Sequence, residues 1–317
     1  MANVNPWPAI PLAEWEDTLE TLHRWSQVIG KVRLRRAPLA NHWWNITFHL
    51  TSRGWTTGPT PHDARTFDLE MDFVDHRVLV SSSDGRRKTI EMRPRSVADF
   101  YREVCAALEE LDFSTPIRTL PSEIEDSARL DEDEAHRAYD PDAAQRFWRA
   151  TLQAHRVFAE FRARYVGKCS PVHFFWGSFD LAVTRFSGRR APAPTREMPG
   201  YPLWANAEAY SHECSSAGFW PGQGLGHPAF YSYAYPEPAG FAAARVTPDA
   251  AAYNADFGQF FLPYEAVRTA ADPDAALLAF LQSTYEAAAD LGGWRRAELE
   301  RGPDDLARLE RLLGRRR

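Results

Sequence analysis

The sequence predicts an α+β fold built as an internal duplication of a helix, four-stranded antiparallel sheet, helix unit. Three observations predict it. Apolar residues recur at helical spacing in four long segments and at the two-residue period of strands between them. The order helix, strands, helix occurs in each half of the chain. Finally, His42-Trp43-Trp44-Asn45-Ile46-Thr47-Phe48-His49-Leu50 aligns without gaps to His173-Phe174-Phe175-Trp176-Gly177-Ser178-Phe179-Asp180-Leu181, each after a helix ending in Gly-Lys, at Gly30-Lys31 and Gly167-Lys168. The expected units are residues 1–114 for the first repeat, 115–139 for an acidic linker or excursion, 140–300 for the second repeat, and 301–317 for a C-terminal helix and basic tail.

In the first unit, Trp15, Leu19, Leu22 and Ile29 share one face of a helix that Gly30 is expected to cap. Lys31, Arg33, Arg35 and Arg36 then read as a solvated turn or edge strand, with an anion site as the sharper alternative. Residues 41–52 alternate as a strand. Residues 66–74 put Phe67, Leu69, Met71 and Phe73 inward and Asp68, Glu70 and Asp72 outward. Asp84-Gly85 marks a hairpin. Ser96 with Asp99 resembles a capping box, and Val97, Phe100, Val104, Leu108 and Leu111 give the next helical stripe. The segment from Thr115 to Tyr139 lacks periodicity and is acidic.

Asp140-Pro141 opens the second unit, as N-cap and first helical residue, and Gly167 closes that helix. Val172 to Phe186 reads as one long strand rich in aromatic and β-branched residues. One face takes His173, Phe175, Phe179, Leu181, Val183 and Arg185; the other takes Phe174, Trp176, Ser178, Asp180, Ala182 and Thr184. Further strands are expected at 208–219, 229–235 and 258–262, then a helix capped by Asp272-Pro273.

Composition bounds the function. The chain has 317 residues and a net charge of −6, which opposes general nucleic-acid binding because phosphate neutralisation needs an excess of cations on one face. Arg311 and Arg315 to Arg317 read as a solvated tail. No segment is apolar over the length of a bilayer, and no signal peptide is expected. Three cysteines, Cys105, Cys169 and Cys214, have no metal or disulfide spacing. A reducing compartment fits, so we expect a cytoplasmic protein.

The GKCSPVHFFWGSFDLAVTRFSGRRAP core, SSAGFWPG at 215–222, AYPEP at 234–238, LPYEAVR at 262–268, and NHWW and RPRSVADFY in the first half resemble a bacterial family known as domain of unknown function 5996. The resemblance covers nearly the whole chain. It implies a bacterial protein whose halves form one unit, and it assigns no activity and no catalytic residue.

The candidate chemistry is therefore read from the residues. His173 sits in the densest polar cluster, beside Arg185, Lys168 and Cys169, and is the candidate acid–base; His212 and Glu213 are its expected support. The plain reading of His173 is a strand-end hydrogen bond. Arg185 is expected to hold an anionic group, while Trp176, Asp180, Trp220, Tyr231 and Tyr233 would form an aromatic wall with polar handles. No HExxH, CxxC, GxSxG or Walker pattern occurs, so no metal and no cofactor is expected, although His42, His173 and His212 with Asp180 or Glu213 could in principle hold one. A thiol at Cys169 follows a helix C-terminus, the wrong end of the dipole to activate it. The leading expectation is a small-molecule enzyme, the rival a non-catalytic binder of an anionic or aromatic ligand. An enzyme of this design requires His173, His212 and a carboxylate to converge in a cleft, whereas a binder requires only the aromatic wall. Oligomeric state, substrate and reaction are not encoded in any motif.

Overall fold

The computed structural model describes residues 6–125, 128–195 and 202–312. Its first long element, α1 (Glu16–Arg36), is buried on every side from Thr21 to Val32, so it is a core helix and not an amphipathic surface one. It continues six residues beyond Gly30, which corrects the expected cap. Lys31, Arg33, Arg35 and Arg36 accordingly form its last turns. A glycine inside a helix costs about 1 kcal/mol relative to alanine. Here it makes room: a Cβ on Gly30 would lie under 3.0 Å from the Trp176 indole.

After a 3-10 turn at Asn41–Trp43, the first sheet comprises β1 (His49–Leu50), β2 (Gly54–Thr56), β3 (Thr60–His62), β4 (Arg65–Asp72), β5 (Arg77–Ser82) and β6 (Arg87–Glu91). It is antiparallel in the order β1-β2-β4-β5-β6, with β3 also on β4. Phe67, Leu69 and Met71 of β4 are buried as the alternation requires, facing Ser82, Val80 and Val78. Ser96 is the N-cap of α2 (Val97–Glu110), its Oγ accepting the Asp99 N–H, while the Asp99 carboxylate pairs with Arg102.

The second half opens with α3 (Pro141–Ala163), whose cap Asp140 accepts from the N–H groups of Asp142 and Ala143. Then come β7 (His173–Phe175), β8 (Asp180–Arg190), α4 (Leu203–Ala209), β9 (His212–Trp220), β10 (Ala229–Tyr235), β11 (Ala252–Asn254) and β12 (Gln259–Pro263). The expected long strand is broken by a turn at residues 176–179, which makes β7 and β8 a hairpin. This sheet runs β11-β12-β10-β9-β8-β7, all antiparallel. Four helices end the chain: α5 (Tyr264–Arg268), α6 (Pro273–Leu291), α7 (Arg296–Leu299) and α8 (Pro303–Leu312). Of the expected basic tail, Arg311 belongs to α8 and Arg315 to Arg317 lie outside the described residues.

The fold is α+β, but each sheet has six strands where four were expected. The aligned stretches also differ locally. Residues 41–43 form a 3-10 turn while 173–175 form a strand, and only the last pairs, His49–Leu50 and Asp180–Leu181, are strands in both. Instead of mirroring each other, the two segments touch: Phe48 and Phe174 exchange backbone hydrogen bonds of 2.9 and 2.8 Å, joining the edge strands β1 and β7 of the two sheets. One hydrophobic core crosses the segment 115–139 that separates the halves. Trp55 stacks on Phe174 at 4.2 Å, and Phe147 lies against Trp15, Phe179 and Phe219 at 5.0, 5.7 and 5.8 Å.

Phe174→Ala should therefore cost about 3–5 kcal/mol in denaturant unfolding, because it removes a ring with no solvent exposure from both sides of that junction. Leu39→Ala, at a side chain 60% exposed, should change stability by less than about 0.5 kcal/mol.

Candidate functional site

Strand alternation gives the second sheet two unlike faces. Leu181, Val183, Ala217, Phe219 and Phe230 point toward α3 and α6 and are buried. The opposite face carries Asp180, Ala182, Thr184, Cys214, Ser216, Tyr231 and Tyr233, and it floors a cavity of about 490 Å³. That is the size of an ordinary small-molecule site. The walls are Trp43, Trp44, Phe175, Trp176 and Phe186, with Trp204 of α4 at the edge. The roof comes from the end of α1, through Lys31, Leu34 and Arg35, and from the segment read as a linker, through Ile117, Arg118, Ser122 and Glu123.

Two carboxyl groups face one another's charge here. Asp180 is 5% exposed; its carboxylate accepts from Ser178 Oγ and from Tyr231 Oη. Burial raises its pKa, and those two hydrogen bonds oppose the rise. Glu123 is half-buried in the cavity roof, and its pKa is raised to about 7, first by burial and then by the charge of Asp180, with Lys31 opposing. Glu123 also adopts φ 60°, a left-handed conformation that is uncommon outside glycine. Its carboxyl lies so close to the Gly177 backbone that a Cβ there would come under 3.0 Å from Oε1. Gly218 plays the same part for Tyr231, whose ring crosses the position a Cβ would take. Three glycines thus make room for three cavity residues: Gly30 for Trp176, Gly177 for Glu123, and Gly218 for Tyr231.

The remaining polar groups are mostly paired. Tyr210 and Tyr233 share a hydrogen bond of 3.0 Å, and Thr184 and Ser216 one of 2.8 Å. His42 Nδ1 meets the Ala209 carbonyl at 2.8 Å, so that nitrogen carries the proton and Nε2 accepts from Lys168 Nζ at 2.7 Å. Burial holds the His42 pKa below its ordinary value, with Lys168 adding to the effect. Cys214 is buried and its thiol is pushed up to about 12 by desolvation, so it is no nucleophile.

Of the residues singled out in the sequence, Trp176, Asp180, Tyr231 and Tyr233 line this cavity, as do His42 and, from the cluster with an anion site as its alternative reading, Lys31 and Arg35. The others lie elsewhere. His173 has no exposure and stands outside the cavity lining; its Nδ1 is 3.1 Å from Thr47 Oγ1, and burial lowers its pKa to about 3. Arg185 is on the helix-covered face of β8, 3.4 Å from the centre of the Phe161 ring and 4.3 Å from that of Tyr285, and donates to the Phe161 carbonyl. Glu213 points away from the floor and pairs with Arg189 at 2.6 Å. His212 is half-buried beside Ser211 Oγ at 3.1 Å, and Trp220 packs on Phe257 and Phe261; neither lines the cavity. His173, His212 and Glu213 therefore do not converge, since alternation sends Glu213 to the far face and burial seals His173 in the junction between sheets. Glu123, Arg118 and Tyr210 were not singled out. The one available signal was Gly177, a glycine inside an aromatic run, which marks close approach by another group.

Residues 7–301 match the family described as Family of unknown function (DUF5996). The chain belongs to that family. No curated protein and no solved structure matches it. The DUF5996 match spans every residue that lines the cavity, from Lys31 to Tyr233. Among the described residues, no group of three or more His, Cys, Asp or Glu is placed to hold a metal ion, and no helix is long and apolar enough to cross a membrane.

Two outcomes are expected from this geometry. Gly177→Ala should destabilise the protein by about 1–3 kcal/mol, and adding Glu123→Ala should recover much of that loss, a coupling that a double-mutant cycle in urea will read. The second concerns pH. Glu123 binds its proton up to about 7 in the folded state but only to its ordinary 4.5 when unfolded, so its contribution to stability falls as pH rises between those values. Buried His23, lowered to about 4, acts in the opposite sense below its ordinary 6.5. The wild type minus Glu123→Gln difference in stability should isolate the carboxyl, decreasing from pH 4.5 to 7 and flat above.

Proposed function

We propose that this chain is a small-molecule enzyme in which Glu123 moves a proton and Asp180 with Tyr231 holds the reacting group. The observation that carries the reading is a carboxyl group poised near neutrality, facing a second, buried carboxyl across an aromatic-walled cavity. Such a group is present in both protonation states at physiological pH, which is the condition for general acid–base work. Asp180, whose oxygens accept from two hydroxyl donors that oppose the burial-driven rise in its pKa, is the carboxyl group placed to orient a ligand donor. Tyr231 stays protonated because burial and the Asp180 charge raise its pKa. A cytoplasmic bacterial setting belongs to the same proposal.

A second reading, a non-catalytic small-molecule binder, is supported by the histidines: neither His173 nor His212 reaches the cavity, as an enzyme using them would require. The two readings separate in one experiment. The purified protein is incubated with a bacterial metabolite extract, and both the extract and the protein-bound fraction are followed by mass spectrometry. The enzyme reading expects a metabolite that is consumed by the wild type, consumed at least about a hundredfold more slowly by Glu123→Gln, and still bound by that variant. Retention of a metabolite without turnover by the wild type would establish the binder. Turnover that survives Glu123→Gln unchanged would remove Glu123 from the chemistry.

A further inference from the structure

Three cations line the cavity: Lys31, Arg35 and Arg118. None forms an ion pair among the described residues. Some guanidinium groups elsewhere sit in carboxylate networks, while others, such as Arg33 and Arg185, donate only to carbonyl or hydroxyl oxygens. Arg53 pairs with Asp72 and Asp75, and Arg296 with Glu286, Asp290 and Glu300. Lys31 is 5% exposed, and among the described residues its ammonium donates to the neutral Ser122 Oγ at 2.9 Å and lies over the face of Trp176 at 5.5 Å. An ammonium has three donors, so two remain unspent in an enclosed site. Lys31 and Arg35 are also i,i+4 on α1, a like-charge arrangement that weakens a helix. Arg118 adds its own field, since burial first and Arg118 second lower the Lys31 pKa to about 8, with Glu123 opposing.

Enclosed charge is costly, and Lys31 is the enclosed cation here, with Arg35 and Arg118 exposed at the cavity's edge adding positive charge of the same sign. We propose that Lys31, Arg118 and Arg35 form an anion subsite, and that the ligand of this cavity is a flat or aromatic small molecule bearing a carboxylate or phosphate. The proposal rests on the reading of the cavity as a small-molecule site. The aromatic walls take the ring body; the planar guanidinium of Arg118 and the Lys31 ammonium take the anion. With the anion at Lys31, the ligand extends past Glu123 toward Asp180 and Tyr231, so the cationic end fixes which ligand atoms meet the carboxyl pair. The proposal keeps an anionic ligand and moves its partner from Arg185 to cations of α1 and of the 115–139 segment.

The test uses four naphthalene compounds of one ring body: 1-naphthylacetate, 1-naphthyl phosphate, 1-naphthylacetamide and 1-naphthylmethylamine. Binding to the full chain is measured by calorimetry at pH 7 and fixed salt. The carboxylate or the phosphate should bind at least about tenfold more tightly than the amide, a difference of about 1.4 kcal/mol, and whichever is tighter names the anion. Arg118→Ala, at an exposed side chain, and Lys31→Met should each erase most of that preference while leaving amide binding in place. Equal binding of all four compounds, preference for the amine, or an anion preference untouched in Arg118→Ala would overturn the subsite while leaving the cavity reading standing. Absence of binding by all four would overturn the cavity reading and the subsite together.

Discussion

The turn at Trp176-Gly177-Ser178-Phe179 is the constraint on which the rest of the molecule depends. Its four residues serve two environments at once. Phe179 has no exposure, adopts φ 58°, and lies within 5.0 to 5.7 Å of the rings of His23, Phe174, Trp55 and Phe147. A left-handed conformation at a bulky residue costs on the order of 1–3 kcal/mol and persists only where the surroundings over-determine it. Here the aromatic junction does so. On the other side of the same turn, Trp176 donates to the Ile46 carbonyl at 2.8 Å and walls the cavity, while the Gly177 carbonyl meets His23 Nε2 at 2.8 Å. Core and cavity are therefore set by one piece of backbone, and shifting either would move the other.

That coupling explains which parts of the molecule were legible. Local period and capping signals identified α2, α3 and α6 and the facing of β4 and β8, because those features depend on neighbours in sequence. Gly30 misled for a tertiary reason. Glycine past an apolar stripe ordinarily ends a helix, but here the missing Cβ accommodates an indole from residue 176, and no local rule separates the two uses. The same holds for the strand read through 172–186. Its composition favours β structure throughout, and the break at 176–179 is imposed by the aromatic junction.

The site was half legible for a related reason. Trp176, Asp180, Tyr231 and Tyr233 sit on strands, where alternation assigns a face, and they were recovered. Arg185 belongs to the helix-covered side, and His173, though paired with Ala182 of the cavity face, is packed out of the lining by Thr47, Trp44 and Phe175; a polar group at the end of an apolar stripe looks alike whether it meets a ligand or a packed ring. Arg185 is stabilised by aromatic faces and a carbonyl in place of a carboxylate. Glu123 lies in an acidic stretch with the composition of a solvated linker. Its importance comes entirely from where the chain lays it, across the cavity and onto Gly177.

The electrostatics of the cavity follow from that placement. The protein is acidic overall, yet the roof of its aromatic-walled cavity brings Lys31 and Arg118 beside Glu123, with Asp180 on the floor below. Burial disfavours the charged form of every one of the enclosed groups, raising the carboxyls and lowering the lysine, so Glu123 at about 7 and Lys31 at about 8 converge on neutrality from opposite directions. Neither charge fully compensates the other. A ligand whose anion ties Lys31 to its charged form would withdraw some of the positive field that favours ionised Glu123 and hold that carboxyl protonated, while a ligand cation near Asp180 would do the reverse. The charge of Glu123 is thus tied by the fold to the charges of Lys31 and Asp180 around the same cavity.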